Sequence, residues 1–192
     1  METTEGEVPQ NQLDLLEKLQ ELHVSAFTWS LHCCGGQRAE AEDVLQTVYL
    51  KLLTGSARFD GRSAFKTWVF AVIRSTACDT RRSIGRRLRL LSTWLVSRPV
   101  AQEAAATELT YEKELRESVA RLLSSLSCRQ REVLLLVFYH DLTLDQAAQV
   151  LGISVGSVRV HYERGKDNLR RRLAPFKEQY DRARRGTNQA AF

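Results

Sequence analysis

The sequence is poor in the features that mark secreted, membrane-spanning and fibrous proteins. Its 192 residues include only three prolines, ten glycines and four cysteines, too few for a low-complexity chain or a disulfide framework. No apolar run approaches the ~20 residues that a bilayer span needs, so we expect no direct membrane insertion. The first ten residues are polar and acidic. We therefore expect no secretory signal peptide, and a cytoplasmic protein with reduced thiols.

The sequence also has little that resembles a catalytic or metal site. Its four histidines are scattered. His32 precedes Cys33 and Cys34, but no second pair of ligands stands at a spacing that would complete a zinc site. No phosphate-cradling glycine loop and no nucleophile–base pair occurs. We therefore expect a protein that acts by binding, with no enzyme activity, no metal and no cofactor.

What the sequence does contain is charge that is segregated along the chain. Residues 1–53 carry three basic and nine acidic residues, whereas 54–98 carry ten basic and two acidic ones. Residues 99–117 have two basic and five acidic residues, and 118–192 have thirteen basic and seven acidic ones. Two basic lobes joined by an acidic spacer suit a polyanion that is held at two places. Ordinary solvated helix faces are the alternative.

Hydrophobic periodicity predicts helices and almost no strand. Apolar residues recur at helical spacing over about 11–34, 40–53 and 64–82. The glycine pair that begins at Gly35 ends the first of these helices. The stretch 54–63 has two glycines and no periodicity, so it is predicted as a loop. The predicted fold class is all-α.

The helices and the charge pattern together predict two small helical domains. The stretch 97–110, which mixes Pro, Ala and acidic residues, is the best linker candidate. It separates a first domain, 11–96, from a second domain, 111–175, and a basic tail, 176–192, that we expect to fray. Each domain is near the lower size at which an apolar core suffices, which favours compact helical bundles.

The second domain contains a helix with a clear start signal. Ser127 and Gln130 have the spacing of a capping box, in which each side chain satisfies a backbone N–H of the other residue. The run 133–138 that follows is apolar on nearly every side of a helix. Such a helix is buried on most sides, so we expect the side chains of this run, which ends at Phe138, to lie largely in the core.

A helix-turn-helix pattern comes next. A second capping box, Thr143 with Gln146, opens a short helix, and Gly152 supplies the left-handed residue that ends it. Small Ala148 stands where two helices would cross, and Ser154 caps the following helix. This spacing leaves one face of the last helix exposed and able to enter a major groove. That face consists of Ser157, Arg159, Val160, Glu163, Arg164 and Asp167.

Aromatic and basic residues alternate around the loop of the first domain. Aromatic rings stack on unpaired bases while Arg and Lys hold phosphates, and a loop before a basic helix can pocket a base taken out of the stack. The alternative is that the rings lie in the core and the cations are solvated; for Trp68 we favour the core. The segment comprises Arg58, Phe59, Arg62, Phe65, Lys66, Trp68, Phe70 and Arg74.

These motifs resemble a known family. AEDVLQTVYLKLL (41–53) and FDGRSAFKTWVFAVIRSTACDTRR (59–82) are similar to region 2 of the bacterial extracytoplasmic-function (ECF) sigma factors. LLSSLSCRQREVLLLVFYHDLTLDQAAQVLGISVGSVRVHYERGKDNLR (122–170) is similar to their region 4. The two segments stand in the family's order, joined by a short linker, and the resemblance spans roughly 19–172.

The resemblance implies a role in transcription initiation. In the family, region 2 binds the clamp helices of the RNA polymerase β′ subunit and melts the −10 element, and region 4 docks on the β flap and reads the −35 element. Carried over by position, the polymerase-binding residues are Glu42, Asp43 and Gln46. The −10 residues are Arg58, Phe59, Asp60, Gly61, Arg62, Ser63, Lys66, Arg74, Arg81 and Arg82. The −35 residues are Ser157, Arg159, Val160, Glu163 and Arg164.

The implied partners are core RNA polymerase, promoter DNA and an anti-sigma protein, which members of the family usually have. One alternative function is a stand-alone helix-turn-helix regulator, and another is a helical protein-interaction module. The aromatic and basic loop that follows the acidic second helix disfavours both, because neither alternative needs a lobe that melts DNA.

Overall fold

The computed structural model describes residues 12–91 and 125–189, and side chains over 14–83 and 125–174. Over these residues the fold is all-α, as the sequence predicted, and no strand is present. None of the helices in this part of the chain is both long and apolar enough to cross a membrane. The helices are α1 (Gln12–Cys33), α2 (Arg38–Leu53), α3 (Phe65–Leu91), α4 (Cys128–Leu134), α5 (Leu144–Leu151) and α6 (Val155–Gln189).

The chain divides into two compact units. Helices α1, α2 and α3 belong to the first unit, together with Asp145–Gly152. Helices α4 and α6 belong to the second. The sequence grouped Asp145–Gly152 with α6 instead, because its capping residues and glycine form one pattern with the start of that helix. The predicted linker, 97–110, lies outside the described residues, and the domain boundaries stay predictions.

The three long helices of the first unit share one core. Trp29 on α1 is fully buried and stacks on Phe70 of α3, with ring centroids 5.9 Å apart. Its indole N–H also donates to the Phe70 carbonyl oxygen at 3.1 Å. The Ser30 hydroxyl ties α1 to α2 by donating to the Ala41 carbonyl oxygen at 2.9 Å. The α2 side of this core consists of Ala41, Val44, Leu45, Val48 and Leu52.

The turn after α1 is formed by glycines, as predicted. Gly35 has φ of 67°, in the left-handed region that favours glycine. Cys34, just before it, is buried. Burial and the Glu40 carboxylate raise the pKa of the Cys34 thiol, against the opposing effects of Arg81 and a hydrogen bond with Ser30. A buried, protonated thiol is a poor nucleophile, so this cysteine is a packing residue.

In the second unit, α4 and α6 approach each other closely. A Cβ added at buried Gly165 would lie 2.9 Å from Leu134 Cδ1 and 3.3 Å from Gln130 Cβ, so glycine permits this approach. Val158 on the same side of α6 is fully buried. The predicted capping box at the start of α4 is confirmed. The Gln130 N–H donates to Ser127 Oγ at 3.4 Å, and the Ser127 N–H donates to Gln130 Oε1 at 3.2 Å.

The prediction that the apolar run after α4 is largely buried is wrong at its end. The α-helix stops at Leu134, and the next turn, Leu135–Tyr139, is π-helical. A π-turn rotates the following side chains away from the α-helical register. Leu136 is therefore fully buried, whereas Phe138 is 61% exposed. Instead of entering the core, Phe138 stacks on Tyr162 of α6 with ring centroids 5.7 Å apart.

Helix α6 is longer than predicted. It continues to Gln189, past residue 175, after which the sequence predicted a fraying tail. Residues 177–185 are mostly Lys, Glu, Gln, Arg and Ala, which favour helix, and this preference outweighs the interruption expected at Pro175. A helix of 35 residues is about 52 Å long.

Candidate nucleic-acid and polymerase interfaces

The predicted major-groove face of α6 is a continuous exposed strip. Ser154 caps the helix by accepting the Ser157 N–H at 3.1 Å, as predicted. Val158 and Gly165 are buried on the opposite side, which fixes the direction in which the strip points. Every residue predicted for this face is exposed: Ser157, Arg159, Val160, Glu163, Arg164 and Asp167.

The cations on and beside this strip differ in whether they already have a partner in the protein. Glu163 pairs with Lys166 at 3.0 Å, and the Lys166 ammonium lies 4.8 Å from the centre of the Tyr162 ring. Among the described residues, Arg159 and Arg164 have no ion-pair partner. A guanidinium that is exposed and unpaired is suited to bidentate contact with a guanine edge or a phosphate.

The loop between α2 and α3 has a defined geometry. The Arg62 N–H donates to Asp60 Oδ1 at 3.2 Å, and the Arg62 guanidinium pairs with the same carboxylate at 3.3 Å. Arg58 Nε donates to the Gly55 carbonyl oxygen at 3.3 Å. Gly61 has φ of 72°, which lets the chain turn between the two arginines. Of the loop residues, Arg58, Asp60 and Arg62 are exposed, and Phe59, Gly61 and Ser63 are half-buried.

Three half-buried aromatic rings lie beneath the loop. Phe59 lies 5.4 Å from Phe65 and 5.3 Å from Trp68, measured between ring centroids. Trp68 therefore lies at the edge of the core, whereas the sequence placed it inside. Phe70 does not belong to this surface. It is fully buried against Trp29, so it cannot stack on a base and its inclusion in the aromatic and basic segment was wrong. Helical rotation turns it away from Phe65 and Trp68, and it meets this surface only through Lys66, whose ammonium lies 5.8 Å from the centre of its ring.

The remaining residues predicted to contact the −10 element lie along α3. Arg81 and Arg82 are exposed, and Lys66 and Arg74 are half-buried. Arg82 pairs with Asp79 at 3.6 Å, one turn earlier. The structure thus brings the loop and the start of α3 together as one basic and aromatic surface, with Arg81 and Arg82 further along the same helix.

The predicted polymerase-binding residues share one exposed face of α2. Glu42, Asp43 and Gln46 are all exposed, and Glu42 pairs with Arg38 at 2.8 Å. Sequence reasoning missed Leu50, which is 62% exposed. Its position, seven residues after Asp43 and four after Gln46, puts it on the same face. This spacing alone would have predicted that Leu50 belongs to the polymerase-binding face.

The side chains of the α6 strip, the loop surface and the α2 face are suited to binding other macromolecules. Across the described residues, no group of three His, Cys, Asp or Glu side chains is arranged to hold a metal ion. The α6 strip and the loop surface are exposed cations beside apolar or aromatic side chains, a combination suited to nucleic acid. The α2 face is acidic with one apolar residue, a combination suited to a basic protein surface.

Comparisons with known proteins cover both units. The family described as Sigma-70 region 2 matches residues 21–87, and the family described as Sigma-70, region 4 matches residues 116–169. The first match contains the α2 face and the loop surface. The second contains α4, α5 and the α6 strip.

Relatives and solved structures agree with these matches. The ECF RNA polymerase sigma factor SigX of Bacillus subtilis is 29% identical over 143 residues, which cover 73% of this chain and 74% of that protein. The ECF RNA polymerase sigma factor SigC of Mycobacterium tuberculosis is 31% identical over 129 residues, covering 67% and 68%. The sigma factor RpoE, in complex with the anti-sigma factor NepR from Bartonella quintana, has a similar fold. Its TM-score is 0.63 at 20% identity, over 84% of this chain and 97% of that one. On these matches, the chain belongs to the family of ECF RNA polymerase sigma factors.

Proposed function

We propose that the protein binds core RNA polymerase, directs it to promoters through their −35 and −10 elements, and helps to open the DNA. The observation that carries this proposal is the presence of both sigma regions, in order, in one chain. A stand-alone regulator needs only the helix-turn-helix, so that alternative is not favoured. The proposed action is binding throughout, with no catalytic step.

We assign the −35 element to the α6 strip. Arg159 and Arg164 lie five residues apart, on adjacent turns of the exposed face, and either is suited to the O6 and N7 atoms of guanine or to a phosphate. Val160 lies between them, where an apolar side chain can contact a thymine methyl group. Ser157 and Glu163 complete the assigned set. The capped start of α6 supports this assignment, since helix-turn-helix proteins read bases with the first turns of this helix.

We assign the −10 element and strand opening to the loop surface. The exposed guanidinium groups of Arg58 and Arg62 are placed to hold backbone phosphates. The rings of Phe59 and its neighbours offer faces on which an unstacked base can lie. Extruding a base costs a few kcal/mol, so contacts of this kind are needed to favour the open strand. Lys66, Arg74, Arg81 and Arg82 would follow the adjoining DNA along α3.

We assign polymerase binding to the α2 face, where Glu42, Asp43 and Gln46 provide charge and Leu50 an apolar contact. RNA polymerase is cytoplasmic, so we place the protein there too. We also include an anti-sigma protein among its partners, because the fold of RpoE, which resembles this one, was solved with the anti-sigma factor NepR.

The test compares the full-length protein alone with the protein bound to core polymerase. Holoenzyme would first select its DNA from a pool with randomised −35 and −10 segments. Alone, the protein should bind this DNA weakly and with strong salt dependence, because each surface makes few contacts. Core polymerase holds both surfaces on one DNA molecule and so raises their effective concentration. Adding core should make thymines near the start site reactive to permanganate.

A matched pair of variants tests the polymerase face. Glu42→Lys with Asp43→Lys should abolish core-dependent opening, whereas Glu17→Lys with Glu21→Lys, which makes the same charge change at exposed residues of α1, should not. Nanomolar, sequence-specific binding by the protein alone, with no opening when core is added, would contradict the proposal and support the regulator instead.

A further inference from the structure

We propose that Arg170 and Arg171 extend the promoter-reading strip of α6 and bind DNA backbone phosphates beside the −35 element. Neither residue belongs to the assigned −35 set. The proposal rests on the proposed function of the α6 strip, and it adds a contact that carries affinity and salt dependence without reading the sequence.

The helical period places both arginines on the reading face. A residue advances about 100° around an α-helix. Arg170 comes eleven residues after Arg159, which brings it back to within about 20° of that residue. Arg171 comes seven residues after Arg164, which again leaves a difference of about 20°. The four arginines therefore form two rows along one side of α6.

Both side chains are available for a ligand. Arg170 and Arg171 are exposed, and their contacts with the protein are at the surface. Arg170 pairs with the Asp167 carboxylate at 3.3 Å, and Arg171 Nε donates to the Asp167 carbonyl oxygen at 3.4 Å. The ion pair joins two side chains that are 68% and 60% exposed. Exposed pairs of this kind contribute little, so a phosphate can replace the carboxylate.

The spacing along α6 matches the width of the groove. At 1.5 Å per residue, Arg171 lies about 10 Å beyond Arg164 along the helix axis, and the major groove is about 12 Å wide. When Arg164 is near the base edges, Arg171 is therefore near the wall of the groove, where the phosphates lie. In another helix-turn-helix class the end of the recognition helix contacts the backbone in this way. A phosphate thus fits these arginines better than a base does.

Arg172 provides a matched control on the same helix. It is also exposed, but it comes seven residues after Gly165 and so lies within about 20° of the side that faces α4. Its Nε donates to Asn168 Oδ1 at 3.1 Å. Replacing Arg172 removes the same charge from the same turn of α6 while leaving the reading face intact.

The experiment measures how the affinity of holoenzyme for its selected DNA depends on salt, for wild type, Arg170→Gln, Arg171→Gln, the double variant and Arg172→Gln. Glutamine keeps the helix propensity of arginine. Each lost phosphate contact should reduce the slope of log K against log salt by about 0.9, hence by about 1.8 in the double variant. At 0.1 M salt this corresponds to a loss of affinity of about fivefold to tenfold per arginine. The preferred −35 sequence should not change.

An unchanged slope in the double variant would overturn the proposal. So would an equal reduction in Arg172→Gln, since the effect would then follow net charge and not the face. A loss of affinity for core polymerase with the DNA slope unchanged would assign the surface to protein binding and would also overturn it. The Arg159→Ala, Arg164→Ala double variant separates this failure from a failure of the proposed function. If the proposed function holds, this variant loses the −35 preference whether or not Arg170 and Arg171 bind phosphates; if the proposed function fails, the preference persists.

Discussion

The two basic surfaces of this protein are built by different means. On α6, exposure follows the helical repeat, with Val158 and Gly165 buried on one side and the reading strip exposed on the other. In the loop after α2, exposure depends on individual contacts, such as the Asp60 carboxylate that holds both the backbone and the guanidinium of Arg62. In a helix, the regular backbone repeat decides which side chains are exposed. In a loop without that repeat, contacts of individual side chains decide it.

This difference has consequences for mutation. On α6, the backbone conformation does not depend on any one exposed side chain, because the hydrogen bonds of the helix hold it. A substitution on the strip should therefore remove only the contacts of the residue that is replaced. In the loop, the backbone itself depends on Asp60 and on left-handed Gly61, so a substitution should alter several contacts at once. The following predictions test this contrast, from the largest expected effect to the smallest.

The largest effect should come from removing a side chain from the core that the first three helices share. Trp29→Ala deletes a fully buried indole that stacks on Phe70 and donates a hydrogen bond to it. Deleting a buried Trp typically costs about 3–5 kcal/mol of unfolding free energy. Urea unfolding measures this loss. Leu50→Ala, at an exposed site, is the control and should change stability by less than about 0.5 kcal/mol. Equal stability of the two variants would show that the contacts of Trp29 with Phe70 do not hold this core together.

The support beneath the α6 strip should be sensitive to volume. Gly165→Val places a side chain where even a Cβ would lie 2.9 Å from Leu134, so we expect a loss of about 1–3 kcal/mol from overpacking. Gly156→Val is the matched control, because a Cβ there meets only Ser154 Oγ at 3.9 Å. The two variants should separate clearly in thermal or urea unfolding. A control as destabilised as Gly165→Val would show that packing against α4 is not the cause.

Substitutions on the α6 strip itself should affect binding and leave stability unchanged. Replacing Arg159 or Arg164 by Ala should cost about 1–3 kcal/mol of promoter affinity in the holoenzyme. Footprinting over the −35 element and transcription from the selected promoter measure the loss. The −10 preference serves as the internal control and should persist. Unchanged transcription and an unchanged footprint in the double variant would remove this helix face from promoter recognition.

Substitutions in the loop should change preference more than affinity. Exchanging residues 58–62 for the loop of another family member should alter the preferred −10 sequence while binding to core polymerase persists. Selection over randomised −10 sequences measures this change, and an identical profile would mean that the loop is only a connector.

A smaller change separates loop geometry from loop charge. Asp60→Asn keeps an acceptor for the Arg62 N–H, whereas Asp60→Ala removes it, at a cost of about 0.5–1.5 kcal/mol for the lost hydrogen bond. Only the alanine variant should disturb the −10 preference. If both variants disturb it equally, the carboxylate charge matters and the turn does not.

The sequence by itself determined where the helices begin, the capping residues Ser127 and Ser154, the exposed strip of α6 and the family. Each of these features depends only on residues that are close together in the sequence, as in the helical period, the Ser127–Gln130 capping box and the glycine turns. A side chain such as Arg159 is exposed because of its place in that period. Leu50 was missed, although its spacing from Asp43 in the same period places it on the exposed face of α2.

Only the tertiary structure decided which aromatic side chains are surface and which are core. Phe59 and Phe70 are the same residue type within one aromatic and basic segment, yet the first is half-buried under the loop and the second fully buried against Trp29. Phe138 is exposed because a π-turn changes the register after Leu134. Burial depends on what another helix places opposite a side chain, and that partner is distant in sequence.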